Sequence, residues 1–119
     1  SDLSTVLSEL FNNALDHGVL RLDSSVKETT EGFFEYFEQR MSRLAELQQG
    51  QIDIWVNFEP ISQILTIRVR DSGDGFDWLS LEAHHETDAF GRGIPLIKEL
   101  CETVNYSDGG KTATVTFKL

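Results

Sequence analysis

The sequence holds one cysteine, Cys101, two prolines and one methionine among 119 residues. A lone cysteine forms no internal disulfide and builds no cysteine-rich metal site, which favours a reducing, cytoplasmic setting. No apolar run approaches the roughly 18 residues needed to span a bilayer, and no signal peptide opens the chain. Basic residues are also scarce: 10 Lys and Arg stand against 20 Asp and Glu, for a formal net charge of −10. Nucleic acid and anionic membrane are therefore excluded as expected partners, because both require a basic footprint. What the chain does have is a 39% hydrophobic content with eight Phe and two Trp, enough for one packed core. Its length is that of a single domain.

Leu3, Val6, Leu7, Leu10, Phe11 and Ala14 recur at spacings of three and four, which predicts an amphipathic helix capped by Ser1 or Asp2. Glu9, Asn13 and Asp16 fall on one polar strip beside that apolar face. After a polar connection, Phe33 or Phe34, Phe37, Met41, Leu44 and Leu47 predict a second helix ending near Gly50, its apolar stripe taken as packing surface. The period then changes to two. Ile52, Ile54, Val56 and Phe58, then Leu65, Ile67 and Val69, predict an antiparallel hairpin turning at 59–62. Residues 71–93 read as a long loop, and a third helix from near Gly93 is expected to carry Ile94, Leu96, Ile97, Leu100, Cys101 and Val104. Asp108-Gly109-Gly110 turns into a last strand with Ala113, Val115 and Phe117 opposite Thr112, Thr114 and Thr116. This order predicts an α+β fold with helices on one face of a mostly antiparallel sheet.

Three segments carry chemistry. In the first, residues 9–18, Glu9 and Asn13 lie one helical turn apart. Asn13 can offer a neutral oxygen to a magnesium ion while Glu9 polarises a hydroxyl or water. In the second, residues 71–76, Asp71 follows a strand and can accept a hydrogen bond from an exocyclic amine such as that of adenine. Gly73 and Gly75, beside Phe76, permit close backbone approach. Trp78 stands where a dinucleotide fingerprint needs its third glycine, and Gly73 and Gly75 stand where an EF-hand loop needs oxygen ligands. In the third, residues 91–97, Gly91 and Gly93 open a helix with free N–H groups facing an anion, Arg92 adds a cation and Ile94 begins the apolar face. His17 is read as a helix-end residue capping carbonyls in preference to a phosphate contact.

In this order the three segments resemble the N box and the two glycine boxes of the GHKL ATPase superfamily. The Asn13-Ala-x-x-His17-Gly18 ending and the Gly91-Arg-Gly-Ile-Pro-Leu-Ile97 string look most like its anti-sigma-factor serine kinases. The helical insertion at 21–50 looks like the kinase-like domain of response regulators fused to a sporulation-type serine phosphatase. The resemblance implies a Bergerat ATP-binding fold, ATP and magnesium as cofactors, and transfer of the γ-phosphate to a serine on an anti-sigma-factor antagonist domain. A sigma or anti-sigma factor, fused receiver and phosphatase domains upstream, and a homodimer are further partners it implies. Glu9 then matches the general base, Asn13 the magnesium ligand and Asp71 the adenine-reading carboxylate. Gly73 and Gly75 match the first glycine box, Gly91 and Gly93 the second, and residues 77–90 the lid over the nucleotide. Phosphoryl transfer needs mostly positioning and charge neutralisation, which so small a set can supply.

Two departures accompany this resemblance. Family members carry a strand and a helix before the N box, so the chain is expected to be a fragment of a longer protein lacking both, with one sheet edge open. Where the family places a threonine beside the adenine, this chain has Ala113, so either Thr112 or Thr114 substitutes or the contact is lost. Two alternatives to the serine kinase are a non-catalytic module that sequesters its partner in a nucleotide-dependent way and a histidine-kinase catalytic domain.

Overall fold

The computed structural model describes residues 1–22, 30–73 and 93–119. Helix α1 (Asp2–Asn13) starts at Ser1, whose side chain accepts from the Ser4 N–H in a reciprocal capping box. It runs directly into a π-helical turn, Ala14–Val19, marked by the Leu20 N–H bonding to the Leu15 carbonyl at 2.8 Å. Helix α2 (Thr30–Glu46) follows. Strands β1 (Ile52–Glu59) and β2 (Ile64–Asp71) form the expected hairpin. Helix α3 (Gly93–Leu100) leads into β3 (Thr103–Ser107), a short 3-10 turn at Asp108–Gly110, and β4 (Thr112–Lys118).

The four strands form one antiparallel sheet in the order β1-β2-β4-β3. Alternation decides the faces: Leu65, Ile67 and Val69 of β2 and Ala113 and Val115 of β4 point to one side. There they meet Val6, Leu10 and Ala14 from the first helical segment and Ile97 from α3. Full burial of such side chains contributes roughly 1.5–3 kcal/mol for each large one, which makes this layer the main source of stability. The architecture is the expected α+β one, with helices on an antiparallel sheet.

Three local readings are corrected. The third helix stops at Leu100, and Val104 belongs to β3. Val104 and Tyr106 alternate with Thr103, Asn105 and Ser107, a period-two signal too short to stand out after the helical spacing of 94–101. Asp16 leaves the polar strip of Glu9 and Asn13, because the π-helical turn changes the angular step after Asn13. The third correction concerns α2, whose apolar stripe is exposed, with Phe34 at 69% and Met41 at 70%. The face it buries carries Tyr36, which joins Leu20 and Leu22 in a second small cluster.

Strand β1 is a sheet edge, and its Ile54, Val56 and Phe58 remain exposed although they share a face with the buried Val69, Ile67 and Leu65. On the opposite face the Arg68 guanidinium lies 4.3 Å from the Trp55 ring centroid, a cation–π contact between neighbouring strands. Among the described residues no helix is long and apolar enough to cross a membrane.

Candidate functional site

The site forms where the end of the first helical segment meets the end of β2. Gly18 closes against Asp71, and a Cβ built on Gly18 lies 2.6 Å from Asp71 Oδ1 and closer still to Cγ and Oδ2. Gly73 approaches from the other side. A Cβ there lies 2.9 Å from Asp71 Oδ1 and overlaps the Gly18 carbonyl. Two glycines from distant segments thus clamp one carboxylate, and no side chain fits at either position. Neither close approach involves a left-handed backbone, so space alone demands glycine here.

Asp71 is 2% exposed. Its Oδ1 accepts from the Gly73 N–H at 2.8 Å, while its own N–H donates to the Lys111 carbonyl at 3.0 Å. Burial pushes its carboxyl above the ordinary aspartate value, and the Gly73 hydrogen bond followed by the charge of Lys111 only partly offsets this. A carboxylate held in so unfavourable a place costs stability, which fits a group retained for a ligand.

Beside Asp71 lies a narrow cleft of about 10 Å³, room for one water molecule. Leu10, Asn13 and Ala14 line it from the helical side and Val69, Tyr106 and Ala113 from the sheet, with Gly110 and Lys111 at one end. This is far below the roughly 300–1,000 Å³ of a whole-ligand pocket, so a ring enters only if the walls part. The Asn13 Nδ2 is buried with no hydrogen-bond partner among the described residues. An orphaned amide costs about 1–3 kcal/mol, so a ligand that supplies a polar atom here relieves a standing penalty. Because the nitrogen holds no partner among the described residues, the carboxamide can also turn to present its oxygen to a cation. The residues present therefore fit a nucleotide with its magnesium: Asp71 for an amine-bearing base, Asn13 for the metal.

Glu9 lies one turn before Asn13 on α1, half-buried and outside the residues that line the cleft. Thr112 and Thr114 are not brought to the cleft. Alternation turns them to the opposite face, where Thr112 Oγ1 donates to Asp108 at 2.9 Å, and Ala113 takes the cleft position. Gly93 is the first residue of α3. Ile94 follows it within that helix. Gly75, Phe76, Gly91, Arg92 and the lid at 77–90 lie outside the described residues.

Two residues of the first motif are fixed by structural partners, and α2 grips the chain just after it. His17 Nδ1 donates to the Leu22 carbonyl at 2.8 Å. Asp16 is buried and accepts from Tyr36 Oη at 2.8 Å and from Arg40 Nε at 2.7 Å. Arg43 Nη1 donates to the carbonyls of Leu20 and Arg21, both at 2.7 Å. The π-helical turn that carries Gly18 is thus tied to α2. Sequence reasoning missed the role of Gly18; its one signal was a glycine directly after the motif's histidine.

A buried carboxylate at a strand end and a helix-borne carboxamide thus line one small cleft. The family model of the histidine kinase-like ATPase domain matches residues 1–118, and the chain belongs to that family. Domains of this family bind ATP, generally with magnesium. Searches of the curated proteins and of the solved structures returned no match.

Proposed function

We propose that the protein is an ATP- and magnesium-dependent protein serine kinase of the anti-sigma-factor type, acting on a serine of an anti-sigma-factor antagonist domain. The observation that carries the nucleotide part is the shared cleft of Asp71 and the unpartnered Asn13 amide. The serine branch rests on the letters of two motifs, Asn13-Ala-x-x-His17-Gly18 and Gly91 to Ile97, together with an intact Glu9. Bound ATP supplies the transferable phosphoryl group, with magnesium to neutralise its charge. Asp71 accepts the hydrogen bond of the base, and the Gly18–Gly73 clamp holds that carboxylate still. Asn13 presents its amide oxygen toward the metal. Glu9 takes the proton of the attacking serine hydroxyl. In a chain of net charge −10, a free polyanion is repelled, so the reading requires that nucleotide binding depend on magnesium.

Calorimetry with ATP, with and without magnesium, tests the first half. Tight binding only with the metal is expected, and no detectable binding in either condition overturns the nucleotide reading. Transfer of labelled phosphate to the antagonist protein tests the second half. Glu9→Ala is expected to lower that transfer by about 100-fold or more, in line with general-base catalysis. Unchanged transfer removes Glu9 from the role of base. An acid-labile product identifies the histidine-kinase alternative, and partner binding without phosphoserine identifies the sequestering one.

A further inference from the structure

Helix α2 has three distinct faces. Gly32 and Tyr36 are buried toward the domain, with Arg40 and Arg43 engaged by Asp16 and by the Leu20 and Arg21 carbonyls. Phe34, Phe37, Met41 and Leu44, at spacings of three, four and three, form an apolar stripe that is 69%, 43%, 70% and 37% exposed. That is the seam pattern by which one helix packs on another. Along its flank runs an acidic ridge of Glu31, Glu35 and Glu38, at spacings of four and three, all exposed.

The charge distribution selects the occupant. Arg40 is held on the inner face by Asp16, and the exposed Arg43 commits its Nη1 to the Leu20 and Arg21 carbonyls, so the flank of the stripe itself carries only glutamates among its charged residues. A second copy of α2 laid on the first brings two such glutamate ridges together, and like charges across an interface cost affinity. An anionic membrane is repelled in the same way. We propose that the exposed face of α2 is a docking surface for an amphipathic helix of a partner protein whose apolar stripe is flanked by lysines or arginines. The proposal stands on α2 alone and is independent of the nucleotide reading.

Two labelled synthetic helical peptides with the same leucine stripe test it, one flanked by lysines and the other by glutamates, each titrated onto the full 119-residue chain. The lysine peptide is expected to bind at least ~10-fold more tightly than the glutamate peptide, with an affinity that falls as salt rises. The double variant Phe34→Ser/Met41→Ser alters the two most exposed stripe positions and is expected to weaken binding by ~10-fold or more with the melting temperature retained. Glu31→Lys/Glu38→Lys is expected to reverse the preference between the peptides. Equal affinity for both peptides, or no binding of either, overturns the proposal. So does sedimentation of the protein as a dimer that Phe34→Ser/Met41→Ser dissociates, which assigns the stripe to a second copy.

Discussion

Substituting Gly18 by alanine sets two physical effects against each other. Gly18 lies within a helical turn, where alanine is favoured over glycine by about 1 kcal/mol, so propensity alone makes Gly18→Ala stabilising. The structure gives the opposite sign. The new methyl lands 2.6 Å from Asp71 Oδ1 and closer to Cγ, and Asp71 has no room to retreat because Gly73 N–H holds Oδ1 at 2.8 Å. Overpacking of this kind costs about 1–3 kcal/mol. Displacing the carboxylate from its amide donor adds about 1.5–3 kcal/mol for a hydrogen bond to a charged group. Setting the propensity gain against these losses leaves a net destabilisation of roughly 2–5 kcal/mol. For a domain of this size that is a fall in Tm on the order of 6–20 °C. Thermal unfolding followed by circular dichroism measures it, with Gly109→Ala as control. Gly109 has open space around it but a φ of 67°, so its replacement should cost only about 1–2 kcal/mol from backbone strain. If Gly18→Ala melts at or above the parent temperature, the clamp on Asp71 is refuted.

Four further outcomes follow from the same geometry. Asp71→Asn keeps an oxygen for the Gly73 N–H but removes the buried charge, so it should raise Tm at neutral pH while weakening ATP binding ~10-fold or more, for loss of a charge-assisted hydrogen bond. The sign with pH is fixed by the direction of the shift: the folded Asp71 holds its proton more tightly than the unfolded chain. Stability from this group therefore rises as pH falls through the folded value toward 3.8, and Asp71→Asn should flatten that part of the unfolding profile. Asp16→Ala removes the carboxylate that accepts from the Tyr36 hydroxyl and the Arg40 guanidinium. With Arg40 24% exposed, chemical denaturation should show a loss of about 2–4 kcal/mol, toward the lower side of that for a fully buried pair. Cys101, its thiol pushed up by burial, should react with iodoacetamide at pH 8 more slowly than an exposed cysteine.

The hairpin and the first helix were legible because a single period governs each. Ile52 to Phe58 and Leu65 to Val69 alternate without interruption, and Leu3 to Ala14 repeat at helical spacing. Helix α2 was legible as a helix but not in its orientation. Hydropathy assigns the phenylalanine stripe to the core, whereas the face that docks does so through Tyr36, Arg40 and Arg43, whose buried acceptors no periodicity reveals. The turning away of Thr112 and Thr114 was within reach of the letters. In strict alternation they cannot share a face with Ala113 and Val115, which the core requires. The clamp of Gly18 and Gly73 on Asp71 was out of reach, because it depends on how closely two backbones approach across elements more than fifty positions apart.

That clamp explains how the carboxylate stays buried without a cation beside it. A buried aspartate normally ends up paired with a cation, as Asp16 does with Arg40, and is then spent on structure. Asp71 lies beside no such partner at bonding distance among the described residues; one backbone N–H from Gly73 holds Oδ1, and glycine on both sides leaves the carboxylate the space it occupies. The two aspartates therefore divide the work. Asp16 fixes the π-helical turn to α2, and that turn carries Gly18 against Asp71, so the stiffness of the Asp71 carboxylate is set by contacts made two residues before its clamp. Loosening Asp16 should then weaken nucleotide binding without touching any residue of the cleft, an effect that separates positioning from contact.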